Sequence, residues 1–221
     1  MKKTITSIML LLCVQLVSSQ FKAGYNIGAS SFSLNTDTFE TESQISPQFG
    51  IHSRYIIDDK TEILAELSVN LSNYTVTGTE FNENRPVGTQ DYKFKHTSVM
   101  VGVYYTYNLI NQNFSVFAGP AFSGSLSNKV KDNLDNKDVR FGDVSEDFDA
   151  GLDARQVADL SPYYYLSAGI TGGVENIKLR LRYDFSLSNA YEDVTYDYSS
   201  RTLEGNTSFI SLAFLYSFDI Y

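Results

Sequence analysis

Ile177-Lys178-Leu179-Arg180-Leu181-Arg182-Tyr183-Asp184-Phe185-Ser186-Leu187 is the stretch on which the fold turns. Ile177, Leu179, Leu181, Tyr183, Phe185 and Leu187 share one parity, and Lys178, Arg180, Arg182, Asp184 and Ser186 share the other. A period of two places these sets on opposite faces of a strand, whereas a buried helix would scatter them around its axis. The end of the chain repeats the pattern, with Ile210, Leu212, Phe214, Tyr216, Phe218 and Ile220 against Ser211, Ala213, Leu215, Ser217 and Asp219. Working back, the same alternation marks 21–34, 48–57, 61–76, 95–109, 114–127 and 163–174, giving eight strands in all.

The links between them alternate in length. Asp58-Asp59-Lys60, Asn111-Gln112-Asn113 and Glu175-Asn176 are tight turns, while 35–47, 77–94, 128–162 and 190–205 are long and polar. Short turns at one end and long links at the other, with both termini on the short-turn side, predict an all-β, eight-stranded antiparallel up-and-down transmembrane β-barrel. Its turns would be periplasmic and its long loops extracellular. A secreted lipocalin-like barrel shares the period but would carry its apolar face inward. The polar faces argue against it: Gly24, Asn26, Gly28 and Ser30; Gly119, Ala121, Ser123 and Ser125; Ser167, Gly169, Thr171 and Gly173. Solvent accepts long charged side chains, but the inside of a narrow barrel has little room, so small residues mark the lumen. Val99, Val101, Val103, Tyr105 and Tyr107 then face lipid.

With the faces set, Lys22, Arg54, Glu66, Lys178, Arg180, Arg182, Asp184 and Asp219 fall inside, five basic and three acidic. They come from the first three and last two strands, which are contiguous once the barrel closes. The expectation is an ion-pair network filling a plugged lumen, with a narrow ion path as the alternative.

Composition bounds the remaining classes. The 221 residues are 43% hydrophobic, and 17 Lys plus Arg stand against 26 Asp plus Glu, a formal charge of −9 without a basic run. That argues against binding nucleic acid by phosphate neutralisation. One cysteine excludes a disulfide framework and a Cys-rich zinc site, and two histidines make a His-based metal cluster thin. No cofactor is expected. Met1-Lys2-Lys3, the apolar Ile5–Val17 stretch and Val17-Ser18-Ser19 read as a signal peptide over 1–19, cleaved before Gln20, leaving 20–221 as the barrel. Cleavage removes Cys13 and two lysines, taking the charge from −9 to −11.

Lys22-Ala23-Gly24-Tyr25-Asn26-Ile27-Gly28, Phe117-Ala118-Gly119-Pro120-Ala121, Ser167-Ala168-Gly169-Ile170-Thr171-Gly172-Gly173 and Leu179-Arg180-Leu181-Arg182-Tyr183 resemble the outer-membrane β-barrel family common in Bacteroidetes, whose members are labelled porin-family or PorT-like. The resemblance implies the barrel and its outer-membrane location. It also implies, for PorT-like members, a part in secretion across the outer membrane. It carries over no functional residue. The C-terminal Phe218, Ile220 and Tyr221 are the candidate insertion signal.

The loop end holds at most a partial catalytic set. His96 has Ser98, Ser125 and Ser127 near it along the strands, but no carboxylate to orient the ring, and His52 reads as lumen filler. No enzyme is expected. The stretch 128–162 carries nine acidic residues, Asp132, Asp135, Asp138, Asp143, Glu146, Asp147, Asp149, Asp153 and Asp159, against five basic ones. With Glu192, Asp193, Asp197 and Glu204 they give a negative outer rim without the spacing of a calcium loop. The sequence thus leaves three readings: a monomeric envelope barrel acting through its loops, a PorT-like secretion component with protein partners, and a small pore. Outer-membrane lipid and lipopolysaccharide are the expected surroundings in each.

Overall fold

A computed structural model of the chain describes residues 20–83, 85–110, 113–131, 138–142, 151–174, 176–191 and 203–219. The expected signal peptide over 1–19, the turn residues Asn111, Gln112 and Glu175, and the terminal Ile220 and Tyr221 lie outside the described residues. Strands β1 (Phe21–Thr36), β2 (Thr41–Ile56), β3 (Thr61–Asn82), β4 (Arg85–Ile110) and β5 (Phe114–Val130) are followed by a short β6 (Asp138–Phe141) and a helical turn α1 (Ala154–Ala158). Then come β7 (Tyr163–Val174), β8 (Ile177–Ser186) and β9 (Gly205–Asp219).

Eight of these strands close a ring in the order β2-β1-β9-β8-β7-β5-β4-β3, completed by β2 against β3, and every pairing is antiparallel. The seam between first and last strands runs from Lys22 opposite Asp219 to Thr36 opposite Gly205. Starting at Gly28 and crossing β2, β3 and β4 through Gln48, Asn70 and Ser98 arrives at Ser125 of β5. Crossing the other way through Ala213, Arg180 and Thr171 arrives at Ser115, ten residues away on the same strand. That offset over eight strands tilts them about 40° to the barrel axis at ordinary strand spacings.

The faces sort as the alternation predicts. Tyr25, Val101, Val103, Leu181 and Phe214 point outward and are exposed, while Arg180, Arg182, Ser98 and Ser211 are buried inside. Small residues on the inner wall let rings lie flat against it. Phe117 is directly opposite Gly169, and a Cβ there would come within 2.6 Å of its ring. A Cβ on Gly102 would likewise strike the Tyr104 side chain. At the short-turn end, the Asp58 carboxylate accepts the N–H groups of Lys60 (2.7 Å) and Thr61 (2.8 Å). Those bonds, the Lys60 one foremost, hold it below the usual carboxylate range.

Two links differ from their expected form. The stretch 77–94 is no loop: β3 and β4 run on as a hairpin to Asn82 and Arg85, with Thr77 opposite Asp91 and Thr79 opposite Thr89. Beyond the lipid its outer face needs no apolar residues, so the alternation fades while threonines keep the strand geometry. The first link shrinks because β2 starts at Thr41 and absorbs Pro47 in an irregularity between Gln44 and Gln48. Gly169→Val is expected to push Phe117 off the wall and lower unfolding stability by about 1–3 kcal/mol. Urea titration of the refolded barrel, read by heat-modifiable gel migration, measures this, and unchanged stability would contradict the packing described.

Candidate functional site

The lumen is filled in layers. At mid-depth Glu66 on β3 meets two arginines that reach across from β8. Arg182 donates through Nη1 to Glu66 Oε1 (2.6 Å) and through Nε to Asp184 Oδ2 (2.9 Å), and the Arg180 guanidinium pairs with Glu66 Oε2. All four side chains are buried, and two positive charges face two negative ones. The glycine-backed rings complete the layer: Arg182 lies 5.9 Å from the Tyr104 ring centroid and Arg180 5.8 Å from that of Phe117. Tyr104 and Phe117 pack against each other at 5.5 Å. The space the small wall residues leave is thus taken first by aromatic rings, and the arginines rest on these.

Towards the short-turn end, Arg54 donates through Nε (3.1 Å) and Nη2 (2.5 Å) to Glu62 Oε2. Glu62 is a buried lumen carboxylate that the sequence reading did not single out, although it shares the parity of Glu66 four residues on. Lys178 is buried at this level. His52 is directly opposite Glu66 on β2, its Nε2 2.9 Å from Ser217 Oγ. At the rim the Lys22 ammonium pairs with Asp219 at 3.2 Å, both partly exposed.

Towards the extracellular end the inner face turns aromatic, where the sequence suggested small polar residues. Phe32 packs against Phe209 (5.0 Å), His96 (5.2 Å) and Tyr74 (5.5 Å), and Tyr74 stacks on Phe94 at 5.2 Å. The described parts of the long link after β5, 138–142 and 151–162, pack against this cluster. Their β6 pairs with the distal part of β3, Gly78 opposite Phe141, and Phe141 sets its ring edgewise on Tyr92 and Phe94. Leu152, Val157 and Leu160 from the same link are buried beside it. Asp153 caps α1 by accepting the N–H groups of Arg155 and Gln156, while the Gln156 amide accepts the Asp153 N–H. The Tyr191 hydroxyl donates to Val157 O (3.1 Å), and Asn128 Nδ2 donates to Tyr74 Oη (2.8 Å) and Ala158 O (3.1 Å). This cover went unread because an acid-rich composition hides it. The signals were Asp153 followed three residues later by Gln156, and the Val139/Phe141 alternation.

The remaining sequence candidates are dispersed. His96 stacks on Phe32, and neither ring nitrogen has a hydrogen-bond partner, so no serine joins it in a nucleophile–base pair. Of the acidic loop residues, Asp138 pairs with Arg140 (3.4 Å) and Asp153 caps the helix; Asp132, Asp135, Asp143, Glu146, Asp147, Asp149, Glu192, Asp193 and Asp197 lie outside the described residues. Among the described residues no three His, Cys, Asp or Glu side chains converge as a metal set. Phe218 faces outward opposite Ala23.

Removing Glu66 leaves two buried guanidinium groups facing one carboxylate. Glu66→Ala is expected to destabilise the barrel by about 3–5 kcal/mol, and Lys22→Ala, at the wet rim, by no more than about 1 kcal/mol. Paired urea unfolding curves in lipid vesicles check this; equal small effects would contradict the buried network.

Residues 15–192 match the family model for the outer membrane protein beta-barrel domain. No curated protein matches the sequence. Among solved structures, Neisserial surface protein A is similar at 13% identity, with 90% of this chain and 98% of that one covered and a TM-score of 0.47. Ail, the attachment invasion locus protein of Yersinia pestis, is similar at 12% identity, with 90% and 99% covered and a TM-score of 0.43. The outer membrane protein OprG of Pseudomonas aeruginosa is similar at 12% identity, with 90% and 95% covered and a TM-score of 0.42. An eight-stranded antiparallel ring with an outward apolar band and a filled lumen, matched by that family model over most of its length, makes this chain a member of the outer membrane protein β-barrel domain family.

Proposed function

We propose that the protein is a non-enzymatic, monomeric envelope barrel with a closed lumen that acts from its extracellular side. The observation that carries this reading is the double occlusion of the interior, by the Glu66–Arg180–Arg182–Asp184 layer and by the aromatic cluster beneath β6 and α1. A barrel blocked at these two levels offers no continuous path to a permeant. What it offers to other molecules is the hairpin of Thr77–Asn82 and Arg85–Tyr92, whose β4 segment is exposed from Arg85 to Asp91. Export by the 1–19 signal peptide, surroundings of outer-membrane lipid and lipopolysaccharide, and surface or secretion-system proteins as partners belong to the same reading. No nucleic acid takes part.

Replacing residues 78–88 by a two-residue turn is expected to leave a folded, heat-modifiable, membrane-inserted barrel that fails to complement loss of the gene. Full complementation by that variant would contradict an extracellular role. The PorT-like form of the proposal makes a further demand: loss of the protein should strand secreted cargo in the periplasm, and normal secretion would restrict the role to the cell surface.

A further inference from the structure

Four of the chain's ten lysines stand together on the outer wall, at the extracellular edge of the apolar band. On β4 the outward residues run Tyr105, Val103, Val101 and Val99, then Thr97, and then Lys95 and Lys93. On β5 they run Phe122 and Leu126, then Lys129, with Lys131 just past the strand's end. Lys95 is directly opposite Lys129, and the Lys131 N–H donates to Lys93 O at 2.7 Å, so the second pair is adjacent as well. All four side chains are exposed.

The placement depends on a single irregularity. Below it Ser98 is opposite Ser125, and above it Thr97 is opposite Ser127, so Leu126 is the extra residue of a β-bulge. Without that bulge, with Leu126 taking an ordinary place in the alternation, β5 would aim Lys129 and Lys131 into the lumen and Asn128 outward. With it, Asn128 turns inward to Tyr74 and the lysines turn outward beside Lys95 and Lys93. Like charges directly opposite on neighbouring strands are unfavourable, and here the fold assembles them in a chain whose net charge is −9. Among the described residues no carboxylate forms an ion pair with Lys95, Lys129 or Lys131. The next outward acid on β4, Asp91, is engaged by the Thr77 hydroxyl at 2.8 Å.

We propose that Lys93, Lys95, Lys129 and Lys131 form a binding site for the phosphate-bearing headgroup of an outer-leaflet lipid, whose acyl chains lie against Val99, Val101, Phe122 and Leu126. The lysines sit where the headgroups of the outer leaflet meet the wall, with only Thr97 between Val99 and Lys95 among the outward positions of β4, so the anion is supplied by the membrane in which the barrel stands. Juxtamembrane lysines act on anionic headgroups by this electrostatic route. The proposal rests on the membrane embedding and orientation of the barrel, not on its extracellular partners.

The test uses the full barrel folded in dodecylmaltoside micelles and native mass spectrometry with diphosphoryl lipid A or fully dephosphorylated lipid A as probe. The wild-type barrel should retain the diphosphoryl form at least about tenfold better. The K95Q/K129Q/K131Q variant should lose that preference, whereas K95R/K129R/K131R and the opposite-end K60Q should keep it. Heat-modifiable migration establishes that each variant is folded. Equal retention of both lipids by the wild type, undiminished preference in the glutamine variant, or displacement of the lipid by equimolar inorganic phosphate would each overturn the proposal.

Discussion

Unpaired backbone N–H and C=O groups are too costly to leave in hydrocarbon, and this constraint shapes the whole molecule. A sheet meets it only by closing on itself. In this chain closure is made by β1 against β9, from Lys22–Asp219 to Thr36–Gly205. Eight strands with a ten-residue offset close on an interior no wider than side chains can fill. What enters that interior must therefore fit the narrow space between the walls, and the composition of the inward face follows from this requirement.

The two interior layers meet the requirement differently. At mid-depth, charge is balanced residue against residue: Glu66 serves two arginines, and Asp184 serves one of them again. The rings of Tyr104 and Phe117, seated against Gly102 and Gly169, fix where those arginines lie. At the extracellular end the filling is apolar, and it is finished by a segment that is not part of the ring. β6 extends the sheet on the side of β3 where β2 stops, which anchors the cover by backbone hydrogen bonds while Phe141 and Val157 bury themselves beneath it.

The sequence displayed most clearly what the bilayer itself imposes. Ile177–Leu187 has lipid on one side and lumen on the other, so its alternation is sharp, and the same holds for each ring strand where it crosses the membrane. Past Val99 both faces of β4 leave hydrocarbon; the pattern blurs, and a strand that continues to Arg85 read as a loop. Arg54, Glu66, Lys178, Arg180, Arg182 and Asp184 are buried on the face that parity assigns them, while Lys22 and Asp219 stand at the rim. Glu62 was equally legible from parity, but its partnership with Arg54 emerges only from the register. The cover over the mouth was masked by its acidic residues, and the β5 bulge leaves no mark in composition because a single extra residue changes only direction.

This lumen is closed at two levels by its own side chains, the Glu66–Arg180–Arg182–Asp184 layer and the aromatic cluster. Single-channel recording in planar bilayers tests this closure most directly, with the purified wild-type barrel at both polarities and high salt. A closed lumen gives a quiet baseline after verified insertion. Regular, long-lived conductance steps in the wild-type protein, altered by Arg180→Ala or Arg182→Ala, would contradict it.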